Sequence, residues 1–274
     1  MTDSAIALPS ARDQNRPFGL LHTFLGLALV GGFFAILISG RIEPRDPHPA
    51  TSPAPVVPQG AVFLGALGSI KAPKDAGHAV AVRWGKTAYG VTTLSVFGPE
   101  GLPAPNAEGD LNYFLFDLDQ KAVVRAKRSL PLEDAHLPHG SGDVGSDVAI
   151  FELARSESMT PLLLQERTSQ VGDSIWQVCQ TLEGQVVTLG EIAEVRPNLL
   201  TVYVANCDVS NWAGTPWLNA EGEVVGVTSQ VVGGADTPLL VYLVPATQIA
   251  TFLNAATPQP ASTPAVTPPA SPPK

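Results

Sequence analysis

Thr215–Gln230 reads TPWLNAEGEVVGVTSQ, and its pattern decides how the rest of the chain is built. A short apolar piece, Pro216 to Leu218, runs into Asn219, Ala220, Glu221 and Gly222, and then into the β-branched residues Val224, Val225 and Val227. Asn and Gly tolerate the positive φ of a tight reversal, so two apolar runs separated by them predict a β-hairpin. Working outward, short pieces of alternating apolar and β-branched residues recur at 78–84, 89–97, 112–119, 122–127, 147–153, 174–179, 185–195, 199–205 and 239–244. With 223–230 they make ten strands divided by turn residues, which predicts an all-β sandwich or a pair of barrels. Only ATQIATFLN (246–254) has helical spacing, and Pro245 is placed to start that helix. No repeat with a period of about 20 to 50 residues is visible.

The 274 residues are 45% hydrophobic, enough for a packed core, and disorder throughout is excluded. The net charge of −9 belongs wholly to the part beyond residue 60, because four Arg and four acidic residues cancel before it. Such an acidic body with no basic patch argues against a nucleic-acid partner, since phosphate contacts need clustered Lys and Arg. Cys179 and Cys207 are too few and too far apart for the paired ligands of a zinc site, so no metal and no cofactor are expected. They are either one disulfide or two buried thiols, and their spacing leaves both readings open.

Residues 18–39, FGLLHTFLGLALVGGFFAILIS, form an apolar run between Arg16 and Arg41. A helix of about 20 such residues spans a bilayer, and this run is longer than the apolar region of a cleaved signal peptide. The expectation is one transmembrane helix in contact with lipid, after a short tail at 1–17. The flanks of the span are tied in Arg, so charge alone does not orient it. Residues 40–60 are a Pro-rich linker, with six prolines between 43 and 59, and 257–274 a second Pro-rich stretch with seven. Density of this kind favours extended, unpaired backbone, so the first is expected as a stalk and the second as a disordered tail. The body between them is 61–256.

The order of four pieces within this body resembles the trypsin-like serine proteases, and the HtrA-type branch in particular, over about residues 76–254. SDVAIFEL (146–153) matches the strand bearing the triad Asp, and VGDSIWQV (171–178) matches a Val-Gly-Asp strand opening. TPWLNAEGEVVGVTSQ matches the stretch after the nucleophile, and YLVPATQIATFLN (242–254) matches the closing strand, Pro and helix. The resemblance implies a double six-stranded β-barrel with a short C-terminal helix. It also implies a domain outside the cytoplasm, which would put the N-terminus inside and the protein in the plasma (inner) membrane. The PDZ domain common after the barrel in that branch is not expected here, where the Pro-rich stretch follows instead.

Catalysis in that family needs a Ser nucleophile, a His base, an Asp that orients the His, and backbone N–H groups aimed at the oxyanion. Registered on Pro216, the nucleophile's place falls on Ala213, whose methyl group has no lone pair to attack a carbonyl. The His place falls on Ser95, whose hydroxyl has no useful proton affinity near neutral pH. Asp147 keeps the third place, where it reads as a strand-end carboxylate accepting backbone N–H bonds. The oxyanion-hole positions are Asn211 and Ala213, with Asn211 standing where the family has Gly. Trp212 and Thr215 are expected beside a substrate cleft, and Trp217 in the core. His136 and His139 read as solvated loop residues, His78 as structural, and His22 and His48 as remote from any cleft. The expected function is an inactive protease homologue that binds an envelope protein or peptide. A spacer or assembly scaffold follows in order, and then a divergent peptidase using an unaligned nucleophile such as Ser210 or Thr215.

Overall fold

A computed structural model describes residues 42–69, 72–99, 101–102, 113–117, 122–140, 143–181, 183–205, 212–233 and 238–257. The span expected at 18–39 and the tail beyond Thr257 lie outside them. Among the described residues no helix is long and apolar enough to cross a membrane.

Twelve strands close into two barrels. The first contains β1 (Val62–Ser69), β2 (Ala72–Trp84), β3 (Thr87–Thr92), β4 (Tyr113–Asp117), β5 (Ala122–Ser129) and β6 (Ala149–Leu153). The second contains β7 (Ser174–Thr181), β8 (Gly184–Arg196), β9 (Leu199–Val204), β10 (Pro216–Leu218), β11 (Val224–Val232) and β12 (Leu239–Pro245). Their neighbours run β1-β2-β3-β6-β5-β4 and β7-β8-β9-β12-β11-β10, so both barrels share one strand order, although no sequence repeat announces it. Closure leaves neither sheet a free edge. The helix α1 (Ala246–Ala256) follows β12 directly, with Pro245 as its N-cap residue.

Three apolar clusters hold this arrangement. Phe63, Tyr113, Leu115 and Phe151 fill the first barrel, where Tyr113 and Phe151 pack with ring centroids 4.9 Å apart. Ile175, Ile192, Val202, Trp217 and Leu243 fill the second. The largest cluster joins them: Val80, Val82 and Ile150 meet Val178, Leu218, Val227 and Val244, and Ile249, Phe252 and Leu253 of α1 complete it. Each such side chain, fully buried, stabilises by about 1.5–3 kcal/mol, so the seam between the barrels is as firmly set as either interior.

The ten expected strands are all present, although the piece expected at 89–97 leaves the sheet after Thr92, and β10 is the short first arm of the predicted hairpin; the strand that the pattern did not reveal is β1. Gly65 and Gly68 interrupt the alternation of β1, whose register shifts between Leu64 and Ala66. β10 is three residues long, too short for a period to show.

The Pro-rich linker differs from the free stalk expected of it. The Arg45 guanidinium reaches Glu191 at 2.6 and 3.2 Å and lies 4.1 Å from the centroid of the Tyr203 ring. His48 donates its backbone N–H to the same carboxylate at 2.7 Å, and its Nδ1 lies 2.7 Å from it. Glu191 on β8 and Tyr203 on β9 are register partners, so the segment is fastened to the second barrel at one cross-strand pair. Prolines keep this backbone extended, but a buried carboxylate needs donors, and the extended segment supplies them. His48, expected to have no defined geometry, is one of those donors.

Candidate functional site

The strand β3 ends at Thr92, and a 3-10 turn over Leu94–Phe97 brings Ser95 to Asp147. Asp147 follows a second 3-10 turn, Val144–Ser146, and is wholly buried. Its Oδ1 accepts the Ser95 backbone N–H at 2.9 Å, and its Oδ2 accepts the Ser95 hydroxyl at 2.9 Å. Ser229, on β11 of the other barrel, donates its hydroxyl to the same Oδ2. Burial pushes the Asp147 carboxyl above the usual carboxylate range, and the bonds from Ser229 and Ser95 only partly oppose that rise. The three donors therefore make a polar knot across the seam, with the Thr93 hydroxyl 3.2 Å from that of Ser95.

The turn before β10 is built as tightly. Thr215 N–H donates to Trp212 O at 3.1 Å, closing a reversal around Ala213 and Gly214. His78 N–H of β2 donates to Ala213 O at 2.9 Å, and Gly214 N–H donates to Thr228 O of β11 at 2.8 Å, so both barrels grip the turn. Gly214 has φ +76°, and a Cβ there would lie 2.0 Å from His78 O and 2.2 Å from Thr92 Oγ1. Only glycine fits that position. Thr92 in turn donates to His78 O at 2.6 Å, which links the turn through β2 to the strand that delivers Ser95.

Ser95, Asp147 and Ala213 are thus placed on one connected frame. Asn211, Ser210 and Cys207 lie outside the described residues, so the oxyanion-hole and disulfide expectations rest where the sequence left them. Two expectations need correction. Trp212 is only 8% exposed and packs into the interior of the second barrel beside Ile175 and Trp217, rather than lining a cleft. Thr215 is fully buried, with its Oγ1 4.0 Å from the equally buried Cys179 Sγ. The cause is the same for both: a barrel interior must be filled, and the reversal turns these side chains inward as it feeds β10. Trp217 is core as expected, its Nε1 donating to Thr228 Oγ1 at 2.8 Å.

His78 is buried, with Nε2 3.0 Å from Gln180 O, a structural role. His136 and His139 lie exposed in the loop between β5 and β6, where His136 Nε2 is 2.8 Å from Asp143 Oδ2. That contact pushes the His136 imidazole up and the Asp143 carboxyl down, each stabilising the other's charge. Sequence reasoning missed Ser229 as a partner of Asp147. A Ser in a β-branched run carries no local signal of facing inward across a seam, and only the common frame of two barrels brings it there.

No protein-family model matches the chain, and no curated protein matches its sequence. Solved structures do match its fold, which is that of the trypsin-like serine proteases with their two six-stranded barrels. Kallikrein-related peptidase 10 in complex with Zn2+ superposes with a TM-score of 0.52 at 15% identity, covering 74% of this chain and 98% of that one. The Rv3671c protease of M. tuberculosis H37Rv, in an inactive form, gives 0.50 at 19% identity over 81% of this chain and 100% of the other. The serine endoprotease from Yersinia pestis gives 0.50 at 16% identity over 73% of this chain and 63% of its own.

Proposed function

We propose that this protein is a catalytically inactive protease homologue, anchored in the plasma membrane by residues 18–39, whose double barrel stands outside the cytoplasm as a binding module for an envelope protein or peptide. The observation that supports the reading is the hydroxyl of Ser95 on Asp147, at the position the resemblance assigns to the imidazole, together with a methyl group at position 213. Proton relay from a nucleophile needs a base that a hydroxyl cannot supply. Among the described residues the supporting frame is nonetheless retained: Asp147 is cradled by Ser95 and Ser229, and the turn at Gly214 is gripped from both barrels. Retaining that frame without its chemistry fits a surface kept for recognition. Fold alone does not name the partner.

Because Trp212 and Thr215 face inward, recognition on this reading uses the partly buried Val96 of the 3-10 turn beside Ser95, whereas Phe97 packs against Tyr113 and Phe151. A photo-crosslinking residue at Val96 in intact membranes is expected to yield one defined adduct, and the same residue at Val171, an exposed site, is expected to yield none. Equal yields at both positions, or none at either, would reject a binding role for this face.

A further inference from the structure

The loop between β5 and β6 collects three ligating side chains that the protease-like frame does not use. His136, His139 and Asp143 each present one ligand atom, and these atoms lie within 4.8 Å of one another. A tetrahedral ion with bonds of about 2.0–2.2 Å needs its ligand atoms roughly 3.3–3.6 Å apart, so a shift of about an ångström in exposed side chains completes the set. The two imidazoles already lie side by side, their ring centroids 5.8 Å apart and their planes within 29°.

We propose that His136, His139 and Asp143 bind a divalent transition-metal ion of the zinc class, with water in the remaining position. The donor set selects the ion: two imidazole nitrogens and one carboxylate suit Zn2+, whereas Mg2+ and Ca2+ require oxygen donors throughout. Outer contacts hold the ligands for this purpose. His136 Nδ1 lies 3.0 Å from Asp134 O, so donation to that carbonyl leaves the Nε2 lone pair turned toward Asp143. Nε2 and Asp143 Oδ2 already face each other at 2.8 Å, so the two donor atoms need only move apart by about half an ångström to take an ion between them. This departs from the sequence-level expectation of no metal, which weighed the cysteines alone.

The site is tied to the frame described above. His136 N–H donates to Ser146 O at 3.0 Å, and Asp143 opens the 3-10 turn that ends at Asp147. An ion would therefore pin both ends of the loop that delivers Asp147.

Titration calorimetry of the full chain with ZnCl2 in a non-chelating buffer tests this. The expected result is one saturable equivalent of Zn2+, no heat with MgCl2, and a higher Tm in the presence of Zn2+. His139→Ala and Asp143→Asn are each expected to weaken binding by at least about tenfold and to abolish the rise in Tm, and His48→Ala to leave both unchanged. Absence of saturable binding, or wild-type affinity in either His139→Ala or Asp143→Asn, would overturn the assignment.

Discussion

At position 147 a buried carboxylate is satisfied by a backbone N–H and two hydroxyls, and its ionisation still costs more than it would in water. The folded chain therefore holds this proton more tightly than the unfolded chain does. Its contribution to stability is full below the ordinary carboxylate pKa and is lost as pH rises through the raised folded value. Asp147→Asn cannot ionise, so the Tm of the variant minus that of the wild type should grow as pH is raised from about 4 to 7. A difference that stays constant with pH would contradict the raised pKa. Gly214→Ala adds a Cβ 2.0 Å from His78 O in a left-handed backbone, and should destabilise by more than about 2 kcal/mol in denaturant unfolding. That Ser95 meets Asp147 follows from strand ends whose neighbours fix their register. The inward turn of Trp212 and Thr215 was not legible, since a side chain's direction in an irregular reversal depends on what the barrel must fill.

Elements with a clear period were legible from their residues, except that the strand read at 89–97 gives way after Thr92 to the 3-10 turn that carries Ser95. In α1, Ile249, Phe252 and Leu253 at spacings of three and four form one buried face, and Pro245 sets the start. Phe252→Ala should cost about 3–5 kcal/mol, because Phe252 seals the cluster that joins the barrels. A loss below about 1 kcal/mol in thermal or denaturant unfolding would mean that α1 is dispensable to the seam. β1 escaped notice because of Gly65, where a Cβ would lie 2.4 Å from Tyr113 Oη and 2.7 Å from Ala76 O. Glycine there weakens the strand pattern while permitting the close approach that closes the first barrel. β10, too short to display an alternation, was legible only through the hairpin turn that follows it.

Across the whole molecule, the two-barrel architecture came from the order of short motifs rather than from any one of them, and the shared strand order of the barrels is its physical basis. The docked linker was not legible, because proline density says how stiff a segment is and nothing about which carboxylate its charges will meet. Burial alone would raise the Glu191 carboxyl, but the Arg45 guanidinium and the His48 donors outweigh it and hold it below the usual range. Glu191→Ala should release the segment, and exchange of the His48 amide should quicken by about tenfold, the equivalent of one charge-assisted hydrogen bond of about 1.5 kcal/mol. Unchanged exchange would show that the linker is held by something else. The central claim is that this frame has lost acyl transfer, and mass spectrometry of the intact chain after incubation with a fluorophosphonate tests it most directly. The account predicts an unmodified mass, whereas a stoichiometric adduct, lost in Ser210→Ala or Thr215→Val, would contradict it.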